Sequence, residues 1–335
     1  MTILFTEKRP FFGKCHKKSG ETMVKPRSCQ GSVFHLYLIQ ESFFILNVNE
    51  AVFVANQNFW EILQQKRSGL TKSGRIVADY LIQHAEDAQY LSISSLARAC
   101  NVAEATIFRF CRALGFEGYN EMKISLAQAN AAPGYFTAQT LEPGTSTETL
   151  FEHAAAAFAA AVNGTRSVLD TAAVDAAATL LQRARQVFCF GQGGSGRLAD
   201  EIWARFATIS TKFRTAGDSH MELTTASLLG PEDVILFVSY SGATRDMMAT
   251  LKTARANGVK IILITHFDDA PGTSLADVVL LCGARESPLD AGSIPVKASV
   301  LYVAEVLVLR FSLDNQELTS LSRERVSHAL SAKLL

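Results

Sequence analysis

From residue 186 onward the chain alternates short apolar runs with amphipathic stretches, and this alternation restricts the fold more than any other feature of the sequence. The runs are QVFCFG, a short TKFRTA, DVILFVSY, KIILITHF and DVVLLCG, with helices expected to start near Ser195, His220, Thr244 and Ile294. Consecutive strands joined through helices predict a parallel sheet covered on both faces. Right-handed crossovers bring the C-terminal ends of all the strands to one edge, where open α/β sheets bind ligands. The expected fold of this region is an α/β domain with a doubly wound, mainly five-stranded parallel sheet.

Two strand ends at that edge are rich in glycine and hydroxyls. DVILFV runs into Ser239-Tyr240-Ser241-Gly242-Ala243-Thr244, and QVFCFG runs into Gln192-Gly193-Gly194-Ser195. Gly191, Gly193, Gly194 and Gly242 allow tight turns and close backbone approach. The helices that follow offer free N–H groups and a partial positive charge, and Ser195, Ser239, Ser241 and Thr244 add neutral donors; both features favour a phosphate. The rival reading, a dinucleotide fingerprint, is set aside on two grounds. Gly196 is taken as one residue early for the third glycine, and no acidic residue closes the next short strand, which ends Arg214-Thr215-Ala216. A Walker loop is excluded because Gly-Lys-Ser/Thr does not occur.

The pair GQGGS (191–195) and SYSGAT (239–244) resembles the sugar isomerase (SIS) domain, over about residues 186–310. TASLLGPEDVI, TARANGVKIILIT and TSLADVVL (273–280) extend the similarity. The resemblance implies that Ser195, Ser239, Ser241 and Thr244 hold the phosphate of a sugar phosphate. Gly193, Gly194, Gly242, Glu286 and Lys297 complete the expected ligand-binding set. Many regulatory members have Ser-Arg leading into the last long helix, where this chain has Pro295-Val296-Lys297. Lys297 keeps the charge without the planar fork of arginine.

Ahead of this region, residues 56–130 read as helical. A helix from Lys72 to His84 is expected to bury Ile76, Val77, Tyr80 and Leu81. Ser92-Ile93-Ser94 caps a short helix, Asn101-Val102-Ala103 makes a tight turn, and a helix from Glu104 to Leu114 stops at Gly115. Two short helices joined by a three-residue turn fit a helix-turn-helix. Ile107, Phe110, Cys111 and Leu114 form the core face of the second helix. Ala105, Arg109 and Arg112 project the other way, with Thr106 and Phe108 at the flanks. Arg109 and Arg112 suit phosphates or guanine edges in a major groove. The stretch LARACNVAEATIFRFCRALGFEGYNEMK (96–123) resembles the N-terminal domain of the RpiR family of bacterial transcriptional regulators, which join such a domain to a SIS domain. Ala103 stands where that family often has a capping serine, a loss of about 1 kcal/mol.

The expected organisation is an unassigned extension over 1–55, an all-α helix-turn-helix domain over 56–130, a linker over 131–147, a SIS domain with leading helices over 148–320 and a tail over 321–335. Residues 1–55 have no clear period; they read as a poorly ordered extension, or as lying upstream of the true start. The Ala-rich stretch 148–184 is expected to be helical, interrupted near Asn163-Gly164, with Phe151, Phe158, Val162, Val168 and Leu169 supplying an apolar face. Lys+Arg and Asp+Glu both number 32, so a nucleic-acid partner has to be read from a local patch. The six cysteines show no zinc spacing; four lie in apolar patterns and read as reduced core residues of a cytoplasmic protein. The apolar stretch 32–54 carries too many polar residues for a membrane span, and the start lacks the order of a signal peptide.

The resulting expectation is a transcriptional regulator, not an enzyme. It would bind double-stranded operator DNA under the control of a phosphorylated sugar, as a homodimer or homotetramer, with no cofactor, metal or membrane partner. The alternative is an aldose–ketose phosphosugar isomerase with an accessory helical domain, for which Glu286, His220 and His266 are the available acids and bases.

Overall fold

The computed structural model describes residues 58–130, 141 and 144–333, together with four short strands nearer the start of the chain. Those strands form two antiparallel pairs, β1 (His16–Lys18) with β2 (Glu21–Met23) and β3 (Phe34–Ile39) with β4 (Ser42–Asn47). The rest of 1–55 lies outside the described residues, as does most of 131–143, where the linker was expected.

The helical region begins with α1 (Phe59–Lys66), α2 (Lys72–Gln83) and a single turn, α3 (Ala85–Ala88). It continues through α4 (Ile93–Ala99), α5 (Glu104–Leu114) and α6 (Tyr119–Asn130). One core joins them, built from Phe59, Leu63, Val77, Leu81, Leu96, Ile107, Phe110, Leu114, Met122 and Leu126. Helix α2 starts where the Thr71 hydroxyl accepts the Gly74 N–H at 3.1 Å. It buries Val77, Ala78 and Leu81, but Ile76 is 44% exposed and Tyr80 only half-buried. Ile76 therefore lies outside the core face predicted for this helix. Ser92 caps α4 by accepting the Ser95 N–H at 2.9 Å. The link to α5 turns at Asn101, whose φ of 51° is the left-handed conformation that asparagine tolerates. Helix α5 ends at Gly115 with φ 96°, and the Phe116 N–H returns to the Cys111 carbonyl at 3.0 Å.

Two helices, α7 (Thr147–Val168) and α8 (Thr171–Arg183), lead into the sheet. The strands are β5 (Gln186–Gly191), β6 (Phe213–Thr215), β7 (Asp233–Val238), β8 (Lys260–Thr265) and β9 (Val278–Leu281). They pair in the order β6-β5-β7-β8-β9, all parallel. The crossovers are α9 (Gly194–Ala207), α10 (Ser219–Ala226) and α11 (Arg245–Ala256). Two further helices, α12 (Ile294–Asp314) and α13 (Gln316–Ser331), close the chain. All six residues of β7 are buried, because helices cover the sheet on both sides. Val234, Leu236 and Val238 pack with residues of α8, α9 and α12, while Ile235 and Phe237 pack with residues of α10 and α11. The predicted doubly wound, five-stranded sheet is thus present.

Helix α7 corrects two expectations. It runs unbroken through Asn163-Gly164 and ends only at Leu169. The close approach constrains Gly283, beyond β9: a Cβ there would meet the Gly164 carbonyl oxygen at 2.2 Å, whereas a Cβ on Gly164 would lie at an ordinary 3.4 Å from Gly283 O. The Thr165 hydroxyl beside it donates to Ala161 O at 2.8 Å and accepts the Gly283 N–H at 3.1 Å. Phe151, Phe158 and Val168 do not form a buried face; they are 70%, 40% and 44% exposed, and α7 buries only Ala161 and Thr165. Cys100, Cys111, Cys189 and Cys282 are free and buried. Among the described residues no helix is long and apolar enough to cross a membrane.

Candidate functional site

At the C-terminal edge of the sheet, the turns after β5 and β7 face a common cavity of about 170 Å³. Its lining includes five of the expected ligand residues, Ser195, Ser239, Ser241, Thr244 and Glu286, and adds Gln192 and Tyr240. The remaining four stand behind or beside it. Gly193 (φ 56°) lines a neighbouring cavity of about 380 Å³ with Gly196, Asp200, Asp218 and Asp246. Gly194 opens α9, with free space where a Cβ would be. Gly242 shapes the second turn. Lys297 lies near Gly292, its Cε 3.7 Å from where a Cβ on that glycine would be. The Gly292 N–H in turn donates to the Glu286 carboxylate.

The first turn is tied from a distance. Glu222 of α10 is 1% exposed and accepts the Gly191 N–H at 2.7 Å and the Gln192 amide at 3.3 Å. The other end of that amide accepts the Thr244 hydroxyl at 3.1 Å, so Gln192 links the two turns. Burial pushes the Glu222 carboxyl above the ordinary carboxylate range; the two hydrogen bonds pull it back, and Asp218 and Asp246 push it up again. The glycine spacing needs a correction. Gly191, Gly193 and Gly196 do satisfy G-x-G-x-x-G, so spacing does not separate this turn from a dinucleotide site. Gly191 and Gly196 serve strand–helix packing: a Cβ on Gly191 would meet Ser195 O at 2.6 Å and one on Gly196 would meet Gly191 O at 2.7 Å. The acidic ribose partner is still missing, since Asp218 caps α10 by accepting the Met221 N–H at 2.9 Å.

The second turn is held by a local bond and by the segment from Thr265 to Gly272, whose His266 N–H donates to Tyr240 O at 3.1 Å and whose Gly272 N–H donates to Gly242 O at 2.9 Å. The Ser239 hydroxyl accepts the Gly242 N–H at 3.2 Å and is buried. Ser241 is half-buried, and its hydroxyl has no protein partner among the described residues. Thr244 is the N-cap residue of α11 but its side chain caps nothing; it faces Gln192 instead. The Tyr240 hydroxyl donates to Ala284 O at 3.0 Å and accepts the Glu286 N–H at 2.7 Å, which fixes one wall. His266 stacks on Tyr240 at 4.9 Å, and burial lowers its pKa. The site can therefore present hydroxyls and two helix N-termini to an anion.

On the helical region, Ala105, Arg109 and Arg112 of α5 are exposed side by side. Thr106 is not at the flank as expected. It is 9% exposed, and its hydroxyl accepts the Arg109 guanidinium at 3.2 Å, which orients that arginine. Phe108 is 48% exposed on the outer surface. Ala103 provides no side-chain cap.

Comparison with known proteins agrees with this geometry. The model of the helix-turn-helix domain of the rpiR family matches residues 57–133, and that of the SIS domain matches residues 180–310. HTH-type transcriptional regulator HexR of Pseudomonas aeruginosa is 32% identical over 226 residues, covering 68% of this chain and 78% of that protein. An uncharacterized HTH-type transcriptional regulator of Haemophilus influenzae is 28% identical over 265 residues, 78% of this chain and 92% of that one. The structure of the Vibrio vulnificus NanR protein complexed with ManNAc-6P superposes with a TM-score of 0.72 at 24% identity, over 82% of this chain and 99% of that one.

A helix-turn-helix followed by a SIS fold, in one chain similar over most of its length to regulators, defines a DNA-binding transcriptional regulator. The chain belongs to the RpiR family. Its curated relatives are regulators, and of the three proposed acids and bases only Glu286 lines the cavity. His220 is exposed at the start of α10, and the His266 Nδ1 is engaged with Cys282 O at 2.8 Å.

Proposed function

We propose that the cavity at the sheet edge binds the phosphate of a sugar phosphate, and that its occupancy controls the affinity of α5 for operator DNA. One observation carries this reading: Ser195, Ser241 and Thr244 converge with the N-termini of α9 and α11 on a single cavity, in a chain that also bears a helix-turn-helix. The ManNAc-6P in the Vibrio vulnificus NanR structure supports the ligand class. Ser239, Gly242, Gly193 and Gly194 shape the phosphate turns, while Glu286 and Lys297 face the sugar end. Arg109 and Arg112 contact DNA, with Ala105 beside them and Thr106 behind. By linkage, DNA then alters sugar affinity by the same factor.

The protein acts in the cytoplasm as a homodimer or homotetramer, since paired helix-turn-helix domains read two half-sites. Exposed Leu301, Leu309 and Leu313 on α12 offer apolar surface for such an assembly. The functional divisions are 56–130 for DNA and 148–320 for the sugar, joined by 131–147 and followed by the tail 321–335; no role is assigned to 1–55. Two measurements test the reading. A thermal-shift panel of sugar phosphates should yield one ligand that stabilises the fold by about 2.7 kcal/mol at a hundred times its Kd, with the plain sugar inactive. Arg109→Ala with Arg112→Ala should abolish retardation of operator DNA without altering the circular dichroism. A panel with no hit, or unchanged retardation, removes the corresponding half of the proposal.

A further inference from the structure

The loop after β9 reaches the cavity through Glu286, and the loop after β8 backs its Tyr240 wall; both also touch the helical region. On the cavity side, His266 stacks under Tyr240, and Phe267 lies edge-on to both rings at 4.7 and 5.9 Å. Two residues further on, Asp269 holds helix α4. Its carboxylate oxygens accept the Ser95 hydroxyl at 3.1 and 3.0 Å, and Arg98 pairs with it at 2.9 Å. After β9, Arg285 pairs with Asp87 at 3.0 Å and lies over the Tyr90 ring. These two attachments differ in burial. Arg285 and Asp87 are 63% and 69% exposed, so their pair contributes little. The Asp269 side chain is only 3% exposed; Ser95 and Arg98, the latter 67% exposed, supply its partners.

Helix α4 is the first helix of the helix-turn-helix, the one that crosses the DNA backbone while the second enters the groove. A hydroxyl and a guanidinium three residues apart, converging on one anion with two oxygens, form a donor set suited to a DNA phosphate. We propose that Ser95 and Arg98 are a DNA-backbone contact surface beside α5, and that Asp269 occupies this surface as an internal stand-in for phosphate. The inference rests on the reading of α5 as the DNA-binding helix. DNA and the loop after β8 then compete for the same two side chains, and the apparent DNA affinity falls with the fraction of molecules in which α4 is held. Because that loop begins at His266, stacked behind the cavity residue Tyr240, its grip on α4 is the contact through which a bound sugar phosphate acts.

The test uses the full chain and fluorescence anisotropy of a labelled mixed-sequence DNA duplex, over a range of salt concentrations. Asp269→Asn and Asp269→Ala should bind the duplex about threefold to tenfold more tightly than the parent. Arg98→Ala should bind more weakly, with the dependence of log affinity on log salt reduced by about one phosphate. In the Arg98→Ala background, Asp269→Ala should have a smaller effect than in the parent, because both residues belong to one interaction. Asp87→Asn, which breaks only the exposed pair, should leave DNA affinity unchanged. Asp269 variants that fold normally and bind no more tightly overturn the proposal, as does an Arg98→Ala variant with the full salt slope. Failure of the α5 reading is separate: it would appear as unchanged binding in the Arg109/Arg112 double variant.

Discussion

The turn at 191–196 and the turn at 239–244 draw on the same residue types and face the same cavity, yet they are held in different ways. The first depends on partners remote in sequence: Glu222 fixes its Gly191 N–H, and Gln192 reaches across to Thr244. The second adds a local bond, the Ser239 hydroxyl accepting the N–H of Gly242 three residues on. Its backbone carbonyls accept from the segment that follows β8: Tyr240 O from the His266 N–H at 3.1 Å and Gly242 O from the Gly272 N–H at 2.9 Å. Its glycine adopts φ 58° under Ala270, whereas Gly191 is needed because helix α9 passes directly over it. Similar composition therefore conceals a packing constraint in one turn and a conformational constraint in the other.

Glycine replacements sharpen this contrast most. In Gly191→Ala the new Cβ would lie 2.6 Å from Ser195 O and 2.8 Å from its carbon, both backbone atoms of α9. We expect a loss of about 3 kcal/mol in chemical denaturation, with no single neighbouring substitution restoring it. In Gly242→Ala the Cβ would lie 2.5 Å from the Ala270 Cβ, on a backbone that L residues rarely adopt. A loss of similar size is expected, but Ala270→Gly should recover part of it, leaving about 1–2 kcal/mol for the left-handed conformation. Full recovery would mean that conformation costs nothing there; no recovery would mean that the Ala270 contact is unimportant.

The two serines of the second turn should separate next. Ser241→Ala removes a half-buried hydroxyl that has no protein partner among the described residues and lines the cavity. Stability should stay within about 0.5 kcal/mol, while affinity for the sugar phosphate found in the panel falls by tenfold or more, the worth of about 1.5–3 kcal/mol for a hydrogen bond to a charged group. Ser239→Ala should instead lower stability by about 1 kcal/mol, because its oxygen supports the turn. Calorimetry and denaturation on both single variants check the assignment. Equal effects on stability and affinity in the two would show that both hydroxyls have the same role.

The asymmetry between the turns also explains what the sequence disclosed. Strand periodicity, the hydroxyls after β7 and the helix-turn-helix face were legible because each is written in neighbouring residues. Ser92, Gly115 and Asp218 act where local capping rules put them. Glu222 was not legible: a carboxylate in the first turn of a short helix gives no local sign that it will be buried against another strand end. Gln192 sat unremarked between glycines for the same reason. Asn163-Gly164 reads locally as a break, but α7 continues through it, and the Thr165 hydroxyl beside it accepts the N–H of Gly283, more than a hundred residues away. Thr106 was misjudged because helical periodicity gives a direction but not the depth of the groove beside it.

The smallest expected effect concerns how the first turn is held, and its sign can be worked out. Glu222 is 1% exposed, and burial raises its pKa above the ordinary carboxylate value despite the two hydrogen bonds it accepts. The folded chain therefore binds this proton more readily than the unfolded chain does. A group of that kind contributes stability that is fully present below its unfolded pKa and is lost as pH rises through the folded one. Glu222→Gln removes the titration while keeping a carbonyl oxygen for the Gly191 N–H. The difference in unfolding free energy, parent minus variant, should therefore grow in favour of the parent as pH is lowered from about 8 to about 5, by less than about 1.4 kcal/mol for each unit of raised pKa. Second-turn variants such as Ser239→Ala, which remove no ionisable group, should show no such dependence beyond that of the parent. A parent that loses ground to Glu222→Gln on acidification would mean that the hydrogen bonds from Gly191 and Gln192 outweigh burial, and that the first turn is stabilised by a charged carboxylate.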